Sequence, residues 1–311
     1  MNTQHFKYAV EVERTGSITQ AADNLYMAQP NLSKAIKELE DNLGISIFRR
    51  TSRGVVPTEK GAEFLVYAKR ILLQLEKVEA LNSPQPDAMQ DFGVSVPRVS
   101  YVARAVTRFL SQLDPEKQMD IQVCETGALE TIAQVAEGRF NIGVVRYRLL
   151  YENYFMRALE ERHLLSELIW EADCLVTVSA RHPLAKKRSV EPEALSELIE
   201  LVNDDADAPY LSFGTKRSAG SGKPVRRITV NDRANQFELL DRLPGTFMWA
   251  TPVPGDMLSR FGLVQLESLG GEGRSRDVLI YPEGYSMGPL EKRFINELYI
   301  ARNEVAFPGR A

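Results

Sequence analysis

Apolar positions in the first 58 residues recur at helical spacing in short bursts separated by turn-forming residues. Phe6, Ala9 and Val10 predict one helix face, and Thr15-Gly16 closes that helix. Ser17 caps a second helix with Ile18, Ala21, Ala22 and Leu25 on one side, where the paired alanines let a neighbour approach closely. A third helix is predicted from about Ala28, with Pro30 in its first turn, where a missing N–H costs little. Its Leu32, Ile36, Leu39 and Leu43 recur at steps of 4, 3 and 4, which makes them the buried stripe. Gln29, Asn31, Ser33, Lys34 and Lys37 stay outward. Leu43-Gly44 ends the helix, and Ile45 to Phe48 and Val55-Val56 read as two short strands around Arg49-Arg50-Thr51-Ser52-Arg53-Gly54.

A long helix follows from Glu59 to about Asn82, with Thr58 as its N-cap. Phe64, Ala68, Ile71, Leu75 and Val78 recur at steps of 4, 3, 4 and 3, a seam that pairing with a second copy would bury. Packing on its own domain is the alternative. Two prolines in Ser83-Pro84-Gln85-Pro86-Asp87 forbid a continuing helix and mark a hinge at 83–89. Strand and helix patterns then alternate. Phe92 to Val96, Met119 to Thr126 and Asn141 to Val145 predict strands, with Val102, Val106, Phe109 and Leu113 on an intervening helix. Such alternation predicts a parallel sheet with right-handed crossovers.

With 311 residues and a prior of roughly 150 per domain, two domains or one large one are expected. The 44% hydrophobic and 26% charged residues are ordinary for a globular chain and exclude disorder and rod-like coils. No apolar run approaches the roughly 18 residues of a membrane span, and Met1 to His5 lacks a basic leader, so a cytoplasmic protein away from membranes is expected. Cys124 and Cys174 have no partner at ligand spacing, which leaves neither a disulfide framework nor a zinc module. His5, His163 and His182 are scattered without a nucleophile or metal partner, and each reads as structural. No cofactor, metal or catalytic constellation is expected.

A net charge of −4 argues against nucleic acid only on average. From Gln29 to Arg53 five basic residues (Lys34, Lys37, Arg49, Arg50 and Arg53) face three acidic ones (Glu38, Glu40 and Asp41), so a DNA footprint would come from placement. Two short helices, a tight turn and a polar, basic third helix are the layout of a helix-turn-helix reader, and the arginine-bearing hairpin is a plausible wing. Alone, that hairpin would as readily be solvated surface.

Several stretches at fixed spacing carry a family resemblance. They are Ser17-Ile18-Thr19-Gln20-Ala21-Ala22, Leu25, Ala28-Gln29-Pro30-Asn31-Leu32-Ser33, Ile36, Leu39-Glu40, Leu43-Gly44, Phe48-Arg49-Arg50 and Pro57-Thr58-Glu59-Lys60-Gly61. Over about 80 residues the chain resembles the LysR-type transcriptional regulators. The resemblance implies a winged helix-turn-helix over 1–58, a dimerising linker helix over 59–82 and an α/β effector domain over 90–311. That domain would hold two subdomains like a periplasmic binding protein, I at about 90–160 and 255–311 and II at about 161–254. It also implies double-stranded DNA and a small-molecule effector as partners, a homodimer that assembles further to a homotetramer, and RNA polymerase as a further candidate partner. Asn141 stands where the family usually has an acidic residue, and Gly270-Gly271-Glu272-Gly273-Arg274 is an insertion-like loop.

The DNA-contacting candidates are Gln29, Pro30, Asn31, Ser33 and Lys34 for bases and Arg50 and Arg53 for phosphates. In an open α/β sheet ligands bind beyond the carboxyl ends of strands, which singles out Arg98, Ser100, Thr126, Arg146 and Thr229. Hydroxyls, helix N-termini and arginines there favour a small anionic ligand, with polar neutral ligands left open. Plain capping for Ser100 and Thr126, and ion pairs within the chain for Arg98 and Arg146, are the competing roles. Asn203-Asp204 and Asn231 border the same cleft. Ser218-Ala219-Gly220-Ser221-Gly222-Lys223 lacks the spacing of a phosphate loop and reads as a turn. The alternative class is a two-lobed small-molecule-binding protein or enzyme with an N-terminal oligomerisation arm, which would need neither a recognition helix nor an arginine wing.

Overall fold

A computed structural model describes residues 2–51, 54–80, 89–203, 226–230, 232–243, 245–268 and 273–307. Arg53, the 83–87 linker, Asp204, the 218–223 turn, Asn231 and Gly270 to Glu272 therefore lie outside the described residues. The chain divides into two units, one of residues 1–87 with 136–139, the other of 88–135 with 140–311.

In the first unit the predicted caps operate. Helix α1 (Thr3–Thr15) ends on Gly16 at φ 63°, and α2 (Ile18–Asn24) is capped by Ser17, whose side chain accepts from the Gln20 N–H. Helix α3 (Gln29–Leu43) starts after Ala28, which gives no side-chain cap, and ends on Gly44 at φ 67°. Phe6, Ala9, Val12, Ala21, Ala22, Leu32, Ile36 and Leu39 form one core with Ile47, Leu65 and Ala68. The strands β1 (Phe48–Thr51) and β2 (Gly54–Pro57) pair antiparallel, with Arg50 opposite Val55. The first strand thus begins at Phe48, where the sequence pattern had it ending. Ile45 and Ile47 are apolar because they pack on the helical core, not because they pair in a ladder.

Helix α4 (Glu59–Ala80) is capped as expected, since Thr58 Oγ1 accepts from the Gly61 N–H at 2.9 Å. Its seam splits in two. Ala68 is fully buried in the N-terminal core, and Phe64 packs edge-on against Phe6 at 5.5 Å. These two residues are thus not the uncovered seam the spacing suggested, because the apolar stripe of α4 first has to close its own domain. Further along, Ile71 and Val78 are 40% and 57% exposed.

The second unit holds two sheets. The first is formed by β3 (Gln90–Val96), β4 (Met119–Glu125), β5 (Ile142–Arg148), β6 (Leu164–Asp173) and β13 (Arg274–Pro282) in the order β4-β3-β5-β13-β6. Helices α5 (Ser100–Ser111), α6 (Ala128–Ala136) and α7 (Glu152–Glu160) lie between these strands in sequence, and α11 (Pro289–Ala306) follows them. Phe92, Phe109, Ile142, Leu279, Phe294 and Leu298 are the centre of its core. The second sheet runs β10-β9-β11-β7-β12-β8. Its strands are β7 (Leu175–Ser179), β8 (Ser189–Val190), β9 (Ile199–Val202), β10 (Arg227–Thr229), β11 (Thr246–Ala250) and β12 (Leu263–Ser268), and its helices are α8 (Pro192–Leu195), α9 (Arg233–Arg242) and α10 (Gly255–Arg260).

Two expectations change. The sheets are mixed, not parallel throughout: β3 pairs parallel with β4 and β5, while β13 pairs antiparallel with both β5 and β6. The exchange between sheets also falls elsewhere. Residues 164–173 belong to the first sheet and 263–268 to the second, so the chain passes over at Cys174 and again between Ser268 and Arg274. Strand pairing across more than a hundred residues decides this, and no local pattern carries it.

Candidate functional site

A groove of about 540 Å³ runs between α3 and β1, lined by Ser33, Lys37, Ser46, Arg49 and Arg50 and also by Glu40 and Asp41. On α3 Pro30, Asn31, Lys34 and Lys37 are exposed, with Gln29 and Ser33 half-buried beside them. Lys34 approaches Glu38 at 3.8 Å across one helical turn. Both side chains are open to solvent, so the pair is worth about 0.3–0.5 kcal/mol and yields readily to a stronger anion. Arg49 and Arg50 are exposed on β1. The groove thus joins a hydroxyl, a lysine and two carboxylates on the helix wall to two arginines on the other.

The wing is held from two sides. Val55 N–H donates to Gly16 O at 2.8 Å, and a Cβ on Gly54 would fall 2.6 Å from that same oxygen, so the α1–α2 turn and the wing touch backbone to backbone. On the other side Glu40 Oε1 accepts from the N–H groups of Ile47 at 2.6 Å and Phe48 at 3.0 Å. Apart from its place in the Leu39-Glu40 motif, Glu40 read from the sequence as a negative charge among the basic residues of 29–53. Behind the groove Glu11 accepts from Arg14 and Asn24, hydrogen bonds that hold its carboxyl at about 2.

The second group of candidates lies at the ends of β3 and β4. Thr126 N–H donates to Val96 O at 3.0 Å, and Arg98 Nη2 donates to Glu125 O at 3.4 Å, which brings Arg98 and Thr126 to the same edge. Ser100 is the first residue of α5, while Val99 occupies the cap position without a side-chain bond. Its hydroxyl forms no hydrogen bond among the described residues, and the residue as a whole is 7% exposed. Thr229 is exposed on β10, an edge strand of the other sheet.

Arg146 takes the competing role of an ion pair within the chain. Its Nε and Nη2 donate to the two oxygens of Asp277, each at 2.6 Å, and Nη1 donates to Thr251 Oγ1 at 2.7 Å. Tyr101 OH donates to Asp277 Oδ2 at 2.7 Å, and burial, reinforced by Asp277, raises the Tyr101 pKa well above the usual tyrosine range. A carboxylate of the chain itself therefore fills the fork proposed for an effector. Spacing could not reveal this, because the partners are far apart in sequence and meet only through the β5–β13 register.

Thr251 belongs to a segment anchored on the second sheet. Gln265 accepts from Val253 N–H and donates to both Thr251 O and Thr177 Oγ1. Arg104 of α5 pairs with Asp256 of α10, and with Glu304 of α11 at 3.4 Å. Residues 251–256 are thus held by two arginines from elements of the first sheet and by a glutamine from the second. His182 Nδ1 accepts from Leu184 N–H, and burial lowers its pKa, which fits a structural histidine. No helix among the described residues is long and apolar enough to cross a membrane.

Residues 3–62 match the family model described as bacterial regulatory helix-turn-helix protein, lysR family. The chain is 23% identical over 270 residues to the HTH-type transcriptional regulator AlsR of Bacillus subtilis, covering 85% of this chain and 83% of that one. It is 24% identical over 304 residues to the DNA-binding transcriptional dual regulator OxyR of Escherichia coli, covering 94% and 92%. Among solved structures, ArgP from Mycobacterium tuberculosis shares the fold at a TM-score of 0.62 and 15% identity, covering 97% of each chain. Full-length LysG from Corynebacterium glutamicum, solved with bound effector Arg, does so at 0.61 and 14%, covering 98% of this chain and 99% of that one. At these identities the structural likeness speaks to fold alone.

Proposed function

The chain belongs to the lysR family of bacterial regulatory helix-turn-helix proteins, DNA-binding transcriptional regulators with an effector-binding domain, and from that premise we propose how its residues divide the work. Gln29, Pro30, Asn31, Ser33 and Lys34 enter the major groove, where amide and hydroxyl groups meet base edges, and Arg50, with Arg53 beyond it, holds phosphate. The observation that supports this most is the exposed polar and basic face of α3, with Asn31, Lys34 and Lys37, beside a groove whose wing side carries Arg49 and Arg50. Gln29→Ala is expected to relax sequence preference at one position by about 1–3 kcal/mol. Arg50→Ala is expected to weaken all duplexes alike and lower the salt slope by about 1. Binding titrations at several salt concentrations check both, and an equal loss of specificity from the two variants would sink the division of labour.

The assembly is a homodimer along the second half of α4, with Ile71, Leu75 and Val78 at the seam, and it doubles to a tetramer on two operator half-sites. It works in the cytoplasm as a regulator rather than a catalyst. The competing two-lobed binding protein or enzyme has no use for the paired helix and wing.

The effector is a small anion seated near Arg98, Ser100 and Thr126 and approached by Thr229 from the other sheet. Arg146 drops out as a ligand and acts instead as a tie between the sheets, through Thr251. An effector that favours one orientation of the two lobes shifts the DNA-binding pairs only as far as its affinities for the two states differ. The test is a thermal-shift screen of the full chain against carboxylates, aromatic acids, amino acids and sugars. Ser100→Ala is expected to weaken the hit by about fivefold, the worth of one hydrogen bond. Unchanged affinity would remove Ser100 from the site.

A further inference from the structure

Gly44 ends α3 in the left-handed region, and only Ile45 to Ile47 separate it from β1. Such a connection leaves the root of the wing free to swivel about the helix end unless it is tied. One carboxylate oxygen of Glu40 takes two consecutive backbone N–H groups, those of Ile47 and Phe48. The far side of the same residue is held as well: Ile47 O accepts from Thr58 N–H at 2.9 Å, and a Cβ on Gly61 would lie 1.9 Å from that oxygen. Ser46 O accepts from Thr58 Oγ1 at 2.5 Å. The root of the wing is thus clamped between the recognition helix and the first turn of α4. A carboxylate in a groove lined by Lys37, Arg49 and Arg50 would otherwise repel a phosphate strand. Two donated N–H groups offset that charge where it stands.

We propose that Glu40 is the positioning residue of the wing, setting through its bonds to Ile47 and Phe48 the reach of Arg50 towards DNA. It touches no base. The inference rests on the reading of Arg50 as a phosphate contact, and the test separates the two.

The probes are the duplex that the wild-type chain recovers from a randomised pool and an unrelated duplex of equal length, titrated at several salt concentrations. Glu40→Ala is expected to weaken both duplexes by about tenfold and lower the salt slope as Arg50→Ala does, by about 1 per lost phosphate contact. The preference between the duplexes stays within about twofold, since α3 still reads bases. Glu40→Gln keeps an oxygen that accepts both N–H groups and is expected to restore affinity to within about twofold. Glu40→Asp keeps the charge but is one methylene short, and is expected to behave like alanine. The Glu40→Ala, Arg50→Ala double variant is expected to lose no more than Arg50→Ala alone. Additive losses, or a glutamine variant no better than alanine at an unchanged salt slope, would overturn the proposal. If alanine proves too unstable to titrate, the glutamine and aspartate variants decide it between them. Should Arg50→Ala itself leave affinity intact, the wing reading fails first and Glu40 is left without a charge to position.

Discussion

Asp277→Ala is expected to destabilise the effector-binding part of the chain by about 3–5 kcal/mol, the range for removing one partner of a buried ion pair. Asp277 is 1% exposed, and its two oxygens receive Arg146 twice and Tyr101 once. Without it the Arg146 guanidinium keeps, among the described residues, only Thr251 as a hydrogen-bond acceptor, and a tyrosine hydroxyl loses its acceptor inside the core. Thermal denaturation should show a melting temperature lower by about 10 °C, from about 2–4 °C per kcal/mol for a domain of this size. Asp277→Asn retains the shape and one acceptor oxygen, so a smaller loss is expected. A fall of under about 1 kcal/mol for the alanine variant would mean that the pair behaves as a surface ion pair and that Arg146 is available to an effector after all.

Ile71→Glu is expected to dissociate the proposed dimer without unfolding the protomer. In one protomer Ile71 is 40% exposed, so a carboxylate there meets water, whereas a two-fold seam would bury two unpaired charges at a cost of several kcal/mol. Sedimentation at micromolar concentration should find monomers, with a melting profile close to that of the wild type. Ala68→Glu supplies the contrast. Its site is fully buried among Phe6, Val12 and Leu65, and that variant is expected to unfold the N-terminal domain. A dimeric Ile71→Glu chain would show that α4 is not the seam.

The second contrast shows how far the pattern of residues along the chain reaches. Helices whose signals lie within a few residues were legible: Ser17, Thr58 and Gly44 mark real ends, and the stripe of Leu32, Ile36 and Leu39 is buried. Capping and periodicity act over one or two turns, so sequence alone determined the reader helix, its outward polar face and the start of α4. The dense motif over the first 80 residues likewise carried the family resemblance, because many positions at fixed spacing leave little room for coincidence.

What depends on distant residues needed the tertiary structure. A spacing of 4 and 3 could not tell that Phe64 and Ala68 close their own core while Ile71 and Val78 stay open, since both halves of the stripe obey one period. Strand β6 could not be assigned to the first sheet, because its partner β13 enters only after the chain has visited the second. Arg146 looked like a ligand until Asp277, 131 residues away, was found in its fork. Glu40 looked like an unfavourable charge until two N–H groups were found on one of its oxygens. Local propensity is set by the chain's own neighbours, but the partner of a buried polar group is chosen by packing, and packing is a property of the folded whole.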